Sequence, residues 1–225
     1  GFVRRAAFFE EFRKDHKNVL LFDCGDISQG TPYYNMFQGE VEVKMMNEMK
    51  YDAMTIGNHE FDFDLDNMAR LFRMADFPVV CANYDVSATV LKDLVKPYVV
   101  FERDGVKIGV LGLGCQLEGM VQANKCVGVV YNDPVTVANE VAAVLKEKEG
   151  CDVVVCLSHL GVQYDENQLI PKTRNIDVVL GGHSHTFMKG PKTLLNMDGK
   201  NVSLMHTGKS GIYVGQMDLT LEKKK

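Results

Sequence analysis

The hydrophobic and polar positions of the chain follow two spacings that alternate along its first third. Residues 2–14 place apolar side chains every three or four positions, which is the spacing of an amphipathic helix. The same spacing predicts helices over 39–50 and over 65–74, the latter with Asp64 as its N-cap. Short apolar runs between them predict buried strands, namely 19–22, 51–56 and 78–82. Strands that alternate with helices indicate a parallel sheet covered by helices.

The remaining two thirds of the chain predict antiparallel strands as well. Two apolar segments flank the Asp104-Gly105 turn and predict a β-hairpin over 98–113. A helix is predicted over 134–148, with Pro134 in its first turn, and a short one over 168–173. A second Asp-Gly turn, Asp198-Gly199, indicates another hairpin region. The further predicted strands are 153–157, 178–180, 202–206 and 212–221, and residues 223–225 are predicted to be a solvated end.

Composition narrows the class of protein. The 225 residues are 46% hydrophobic and 24% charged, which is typical of a globular domain and excludes disordered or collagen-like classes. The net charge of -5 argues against a nucleic-acid partner, and no apolar run reaches the roughly 20 residues of a membrane span. The six cysteines contain no C-x-x-C pair, so we expect buried thiols rather than a disulfide framework.

Polar side chains that bind metals follow four of the predicted strands. In α/β sheets, ligands bind outside the carboxyl ends of the strands, and each of these loops lies at that position. Imidazole nitrogen and carboxylate oxygen suit Zn, Mn or Fe, and one carboxylate can bridge two ions. The residues concerned are Asp26, Asn58, His59, His159, His183 and His185.

The ordered motifs at these strand ends resemble a known family. They are G-D-I-S-Q-G at 25–30, G-N-H-E-F-D at 57–62, S-H at 158–159 and G-H-S-H at 182–185. Together they resemble the calcineurin-like metallophosphoesterases, and most closely the N-terminal catalytic domain of 5′-nucleotidases. The resemblance implies an α/β fold, a four-layer α/β/β/α sandwich of two mixed sheets flanked by helices. We therefore predict one catalytic domain over residues 1–225.

The resemblance also implies a metal ligand set. Asp26 would bridge two divalent transition metal ions of uncertain identity, Zn, Mn or Fe. Asn58, His159 and His183 would complete one site, with Asn58 contributing its carbonyl oxygen. His185 would serve the other site.

A second group of residues would act on the substrate. The resemblance implies that Asn58 and His59 face the phosphate and that His59 stabilises the leaving group or the transition-state charge. Asp62 would orient His59, the common pairing of carboxylate and imidazole. We expect Glu60, which follows His59, to be structural.

The sequence departs from the family pattern in one respect. The family's first strand ends in an Asp-x-His motif that supplies two ligands to the site of His185, and no such motif precedes Asp26 here. The nearest candidate, Asp15-His16, lacks the spacer and comes before the predicted strand, so we expect a solvated helix end there. We expect that a preceding segment carries the motif, that this chain binds one ion well, and that it is weakly active.

The sequence therefore predicts a metal-dependent hydrolase that releases phosphate from nucleoside 5′-monophosphates or similar small phosphoesters by a metal-activated hydroxide. The alternatives are a 2′,3′-cyclic nucleotide phosphodiesterase or nucleotide-sugar hydrolase of the same fold, and a non-catalytic metal- or phosphate-binding module. The resemblance further implies a C-terminal nucleotide-binding domain, absent from this sequence or present on a separate chain. It also implies an exported location, periplasmic or extracellular.

Three residues outside the ligand set receive structural predictions. His206 lies in an apolar run and is expected to be a packed or hydrogen-bonded histidine. Asp23 and Ser158 flank the motifs and are expected to make hydrogen bonds in turns.

Overall fold

The computed structural model describes residues 1–221, so the prediction for residues 223–225 lies outside the described residues. The helices are α1 (Phe2–Asp15), α2 (Pro32–Phe37), α3 (Glu40–Glu48), α4 (Leu65–Met74), α5 (Pro134–Glu147) and α6 (Val162–Tyr164). Shorter helical turns span His59–Phe61, Ala123–Lys125, Asp165–Leu169 and Ile170–Lys172. The strands are β1 (Phe22–Asp23), β2 (Ala53–Thr55), β3 (Val79–Val80), β4 (Tyr84–Asp85), β5 (Val95–Lys96), β6 (Tyr98–Arg103), β7 (Val106–Leu113), β8 (Val130–Tyr131), β9 (Val153–Ser158), β10 (Val178–Gly181), β11 (Lys192–Leu195) and β12 (Asn201–His206).

The strands form two larger sheets and one small ribbon. The first sheet has the order β1-β2-β3-β5 and is parallel in every pairing. The second has the order β11-β12-β10-β9-β7-β6, with a parallel centre and an antiparallel hairpin at each edge. Strands β4 and β8 pair separately. The predicted mixture of parallel and antiparallel pairing is thus concentrated in the six-stranded sheet.

Packing of side chains orders these elements into four layers. One cluster joins α1, α3 and α4 to the outer face of the first sheet, for example through Phe9, Met46 and Met68. Small and branched side chains such as Ala53 and Val155 fill the space between the two sheets. A third cluster packs α5 on the outer face of the second sheet. The result is the α/β/β/α sandwich expected from the resemblance.

Local signals explain why the helices begin where the sequence predicts. Helix α4 spans Leu65–Met74 as predicted, and Asp64 accepts the N–H of Asn67 at 2.7 Å. Helix α5 begins at Pro134, whose missing N–H costs nothing in the first turn. The hairpin at Asp104-Gly105 also forms as predicted.

The prediction of a strand over 212–221 is wrong. These residues have no strand pairing, and all of them except Met217 are exposed. A strand needs a neighbour for its N–H and C=O groups, and β12 is already paired on both sides, with β10 and with β11 (Lys192–Leu195). The predicted strand 19–22 is observed as Phe22–Asp23, and the N–H of the preceding Leu21 donates to the side chain of Asp52 at 2.8 Å rather than to a strand. The short helix predicted over 168–173 is divided between the turns Asp165–Leu169 and Ile170–Lys172.

The six cysteines are free thiols. Four of them are buried as predicted, whereas Cys24 and Cys126 are half-buried. Within residues 1–221, every helix lacks the combination of length and apolar character that crossing a bilayer requires.

Candidate metal centre

The predicted ligands converge where the carboxyl ends of the two sheets meet. Asp26 follows β1, Asn58 follows β2, and His159 and His183 follow β9 and β10. Ligand atoms of Asp26, His159 and His183 all lie within 4.8 Å of one another. The Oδ1 atom of Asn58 lies 3.1 Å from Nδ1 of His183. Four side chains that are distant in sequence therefore offer oxygen and nitrogen atoms to one point.

His159 has the orientation expected of a metal ligand. Its side chain is completely buried, and its Nδ1 donates a hydrogen bond to the carbonyl oxygen of Cys24. This bond fixes the ring so that Nε2 faces the cluster. Nε2 lies 2.9 Å from Oδ2 of Asp26 but lacks a hydrogen-bond partner of suitable geometry. A buried nitrogen without a partner, next to a carboxylate, fits a divalent cation placed between them.

The charges of the cluster are consistent with cation binding. Burial acts to raise the pKa of the Asp26 carboxyl, but contact with His159 outweighs it and lowers that pKa below its ordinary value. Burial acts to lower the pKa of His159, and Asp26 raises it above its ordinary value. Burial and the charge of His159 lower the pKa of His183. His183 is thus kept neutral, and a metal would replace a proton on His159.

Two features of the backbone bring the side chains of the cluster close together: left-handed φ angles and a closely packed glycine. Asp26 and His183 have φ angles of 61° and 67°, in the left-handed region that few residues other than glycine adopt. Gly57 packs against the Asp26 side chain so closely that an added Cβ would lie 2.3 Å from Oδ1. This close approach explains the glycine in the G-N-H-E motif, because any side chain there would displace the carboxylate.

His59 and Asp62 form a pair beside the cluster. The Nδ1 of His59 donates to Oδ2 of Asp62 at 2.9 Å, and the backbone N–H of His59 donates to Oδ1 of Asp26 at 2.8 Å. The side chain of His59 is about one-third exposed, at 33%, so it remains open to a substrate. Sequence reasoning missed two further contacts of Asp62, whose side chain accepts from Gln29 at 2.8 Å and whose carbonyl accepts from Lys125.

Glu60 ties the two loops of the first sheet together. Its buried carboxylate accepts backbone N–H groups of Gly57 at 2.6 Å, Asp26 at 2.9 Å and Ser28 at 3.3 Å. Burial and the charge of Asp26 raise the pKa of Glu60 to about 7. Glu60 is therefore structural, as predicted: its carboxylate fixes the backbone of Asp26, the proposed bridging residue.

His185, a predicted ligand, and the Asp15-His16 pair, which was not, all lie outside the cluster. His185 is exposed, and the close group of ligand atoms among residues 1–221 consists of Asp26, His159 and His183. Its role as a ligand of a second ion stays a prediction. Asp15 and His16 are exposed at the end of α1, where His16 stacks on Phe12 with ring centroids 3.8 Å apart. The expectation of a solvated helix end is therefore confirmed.

Asp23 provides a pH-dependent prediction. Burial raises the pKa of its carboxyl from 3.8 to about 6, against the opposing effect of the Gly25 N–H, which it accepts at 3.0 Å. Between about pH 4 and 6 the folded state therefore holds a proton that the unfolded state has lost, so the free energy of unfolding falls as pH rises. Asp23→Asn keeps the acceptor oxygen and should remove this loss, which is at most about 3 kcal/mol.

Thermal unfolding of the metal-free protein and of Asp23→Asn across pH 4–7 measures this difference. The variant should be the more stable of the two above pH 6, with the gap closing towards pH 4. Parallel curves for the two proteins would contradict the assignment to Asp23.

A four-layer sandwich with Asp, Asn and His side chains clustered at adjoining strand ends is the arrangement of a metal-dependent phosphoesterase. The model of the calcineurin-like phosphoesterase family matches residues 1–187. The chain belongs to this family, and within it to the part related to the N-terminal domain of 5′-nucleotidases.

Several relatives illustrate this relationship. The venom 5′-nucleotidase of the snake Crotalus adamanteus is 31% identical over 241 residues, covering 100% of this chain and 40% of that protein. The crystal structure of a 5′-nucleotidase precursor from Thermus thermophilus superposes with a TM-score of 0.86 at 33% identity, covering 92% of this chain and 43% of that one. The NAD nucleotidase of Haemophilus influenzae has a TM-score of 0.83 at 29% identity, with 92% and 43% covered. The chain thus spans about two fifths of these relatives' length.

Proposed function

We propose that the protein is a metal-dependent phosphomonoesterase that hydrolyses nucleoside 5′-monophosphates or similar small phosphoesters. The observation that carries the proposal is the cluster of Asp26, His159 and His183 beside the His59–Asp62 pair. A divalent Zn, Mn or Fe ion would be held by that cluster with Asn58, where it would lower the pKa of water and polarise phosphoryl oxygens.

His59 and Asp62 would act on the substrate itself. The hydrogen bond from Nδ1 to Asp62 fixes the His59 ring and leaves its other nitrogen for the substrate. In hydrolysis, the oxygen of water bonds to phosphorus, the bond to the 5′-oxygen breaks, and that oxygen takes up a proton. Because Nδ1 already donates to Asp62, His59 would carry a second proton on its other ring nitrogen and donate it in a hydrogen bond where negative charge develops, either on the phosphoryl group or on the leaving oxygen.

The substrate class is the finer part of the proposal. The relatives described by name as 5′-nucleotidases support a nucleoside 5′-monophosphate. Cyclic nucleotides or nucleotide sugars are the alternative. A relative from Bacillus subtilis, 30% identical over 254 residues with 17% of its length covered, is described more broadly as a trifunctional nucleotide phosphoesterase. We further propose that a C-terminal nucleotide-binding domain, or a separate chain, selects the base. An exported location stays a prediction.

Rates on AMP, 2′,3′-cyclic AMP and UDP-glucose, each with added Mn²⁺ or Zn²⁺, test the proposal. We expect AMP to be hydrolysed fastest, slowly in absolute terms. A preference for either of the other substrates would replace the proposal with the alternative. Metal binding without turnover of any of them would identify a binding module instead.

A further inference from the structure

Three buried polar side chains form a hydrogen-bonded group at the carboxyl end of the second sheet, next to the candidate metal centre. Ser158 and Asp165 are 0% exposed and His206 is 1% exposed. Oδ1 of Asp165 accepts the hydroxyl of Ser158 at 2.5 Å, and Oδ2 accepts Nε2–H of His206 at 2.9 Å. One carboxylate therefore joins the end of β9 to the end of β12.

This arrangement is costly as a purely structural device. Burying a carboxylate is unfavourable unless its charge is balanced, and within residues 1–221 neither lysine nor arginine pairs with Asp165. The other ring nitrogen of His206, Nδ1, is also buried, and it has no hydrogen-bond partner in the part of the chain that the structure describes. Apolar side chains in place of both Asp165 and His206 would avoid both costs, so the geometry that this pair imposes needs another explanation.

The contacts of Asp165 lie at the strand ends from which the loops carrying His159 and His183 begin. Ser158 is the residue before His159, and in the sheet it is level with Gly181 of β10. Gly181 is level with His206 on its other side, and a Cβ on Gly181 would lie 2.0 Å from Nε2 of that ring. The loop that leaves Gly181 carries His183. Asp165 therefore fixes, through one row of the sheet, the starting points of both histidine ligands.

We propose that Asp165 is a positioning residue that, through Ser158 and His206, holds His159 and His183 in the geometry that binds a divalent cation. The inference rests on the proposed function, since it assumes that these histidines are ligands. It adds that the second sheet has its own buried carboxylate for this task, separate from Glu60 in the first sheet.

Asp165→Asn tests the inference with little change in shape. The amide keeps an acceptor for Ser158 but presents N–H to His206, so the imidazole must place its proton on Nδ1, where it has no partner. We expect Mn²⁺ to bind about 10-fold to 100-fold more weakly in a calorimetric titration, the range for outer-shell partners of metal ligands. The visible absorption of the Co²⁺-loaded protein should change as well, because it depends on ligand geometry.

Glu166→Gln is the matched control. Glu166 is next to Asp165 in the sequence, but its carboxylate pairs with Lys192 at 3.0 Å and not with Ser158 or His206. This variant should bind Mn²⁺ as the wild type does.

An Asp165→Asn protein with native circular dichroism, unchanged Mn²⁺ affinity and an unchanged Co²⁺ spectrum would overturn the inference. If Asp165→Asn does not fold, Ser158→Ala decides: weaker Mn²⁺ binding supports the inference and unchanged binding overturns it. A wild type that binds no Mn²⁺ would instead refute the proposed function.

Discussion

Asp26→Asn is expected to weaken Mn²⁺ binding by more than about 100-fold and to remove phosphoesterase activity. Loss of a direct ligand should cost at least as much as loss of an outer-shell partner, for which about 10-fold to 100-fold is usual. Asparagine suits the left-handed backbone at this position, where φ is 61°, and it keeps an oxygen that can accept the N–H of His59. The variant therefore removes the negative charge while it preserves the loop.

Calorimetric titration with Mn²⁺ measures the binding loss, and circular dichroism checks the fold. Asp15→Asn is the matched control, since it makes the same change on an exposed residue at the end of α1 and should leave binding unaltered. If Asp26→Asn bound Mn²⁺ as tightly as the wild type, Asp26 would not be a ligand.

His59→Ala is expected to lower kcat by about 10²-fold to 10⁴-fold while Mn²⁺ affinity stays within about threefold of the wild type. The imidazole is partly exposed beside the cluster and is oriented by Asp62, whereas the atom that contacts Asp26 is the backbone N–H, which alanine retains. Asp62→Asn should have a smaller effect of the same kind, because it loosens the ring without removing it.

Steady-state release of phosphate from AMP with saturating Mn²⁺ separates kcat from KM for these variants. His16→Ala is the control for removing an exposed histidine, and it should change neither quantity. Loss of metal binding in His59→Ala, or an unchanged kcat, would show that His59 does not have the proposed role.

The sequence predicts the fold well where the determining contacts are local. The cap at Asp64 and the turn at Asp104-Gly105 depend on residues only a few positions apart, and both are present as predicted. The strand predicted over 212–221 fails for a non-local reason. Its apolar residues are compatible with a strand, but within residues 1–221 the segment has no pairing partner, and the outer edge of β12 is paired with β11 instead.

In the candidate site, too, some features could be predicted from the sequence and others depend on contacts between distant residues. Convergence of Asp26 with Asn58 could be predicted, because loops after parallel strands lie at one edge of a sheet. His159 reaches them from the second sheet, which the pattern of strands and helices does not show. The actions of Glu60 and Asp165 could not be predicted. Glu60 accepts the N–H of Asp26 from 34 positions away, and Asp165 accepts from His206 across 41 positions. Sequence shows that such residues are polar, but only the packed structure shows which groups they bind.

Calorimetric titration of the EDTA-treated chain with Mn²⁺, alongside His183→Asn, tests the central claim most directly. The account predicts one tightly bound ion per chain in the wild type, because Asp26, His159 and His183 lie together and Asn58 lies next to His183, so that the four would complete one ligand set. It predicts much weaker binding in the variant, whose backbone the substitution leaves undisturbed. Absence of saturable binding by the wild type, or equal binding by the two proteins, would contradict it.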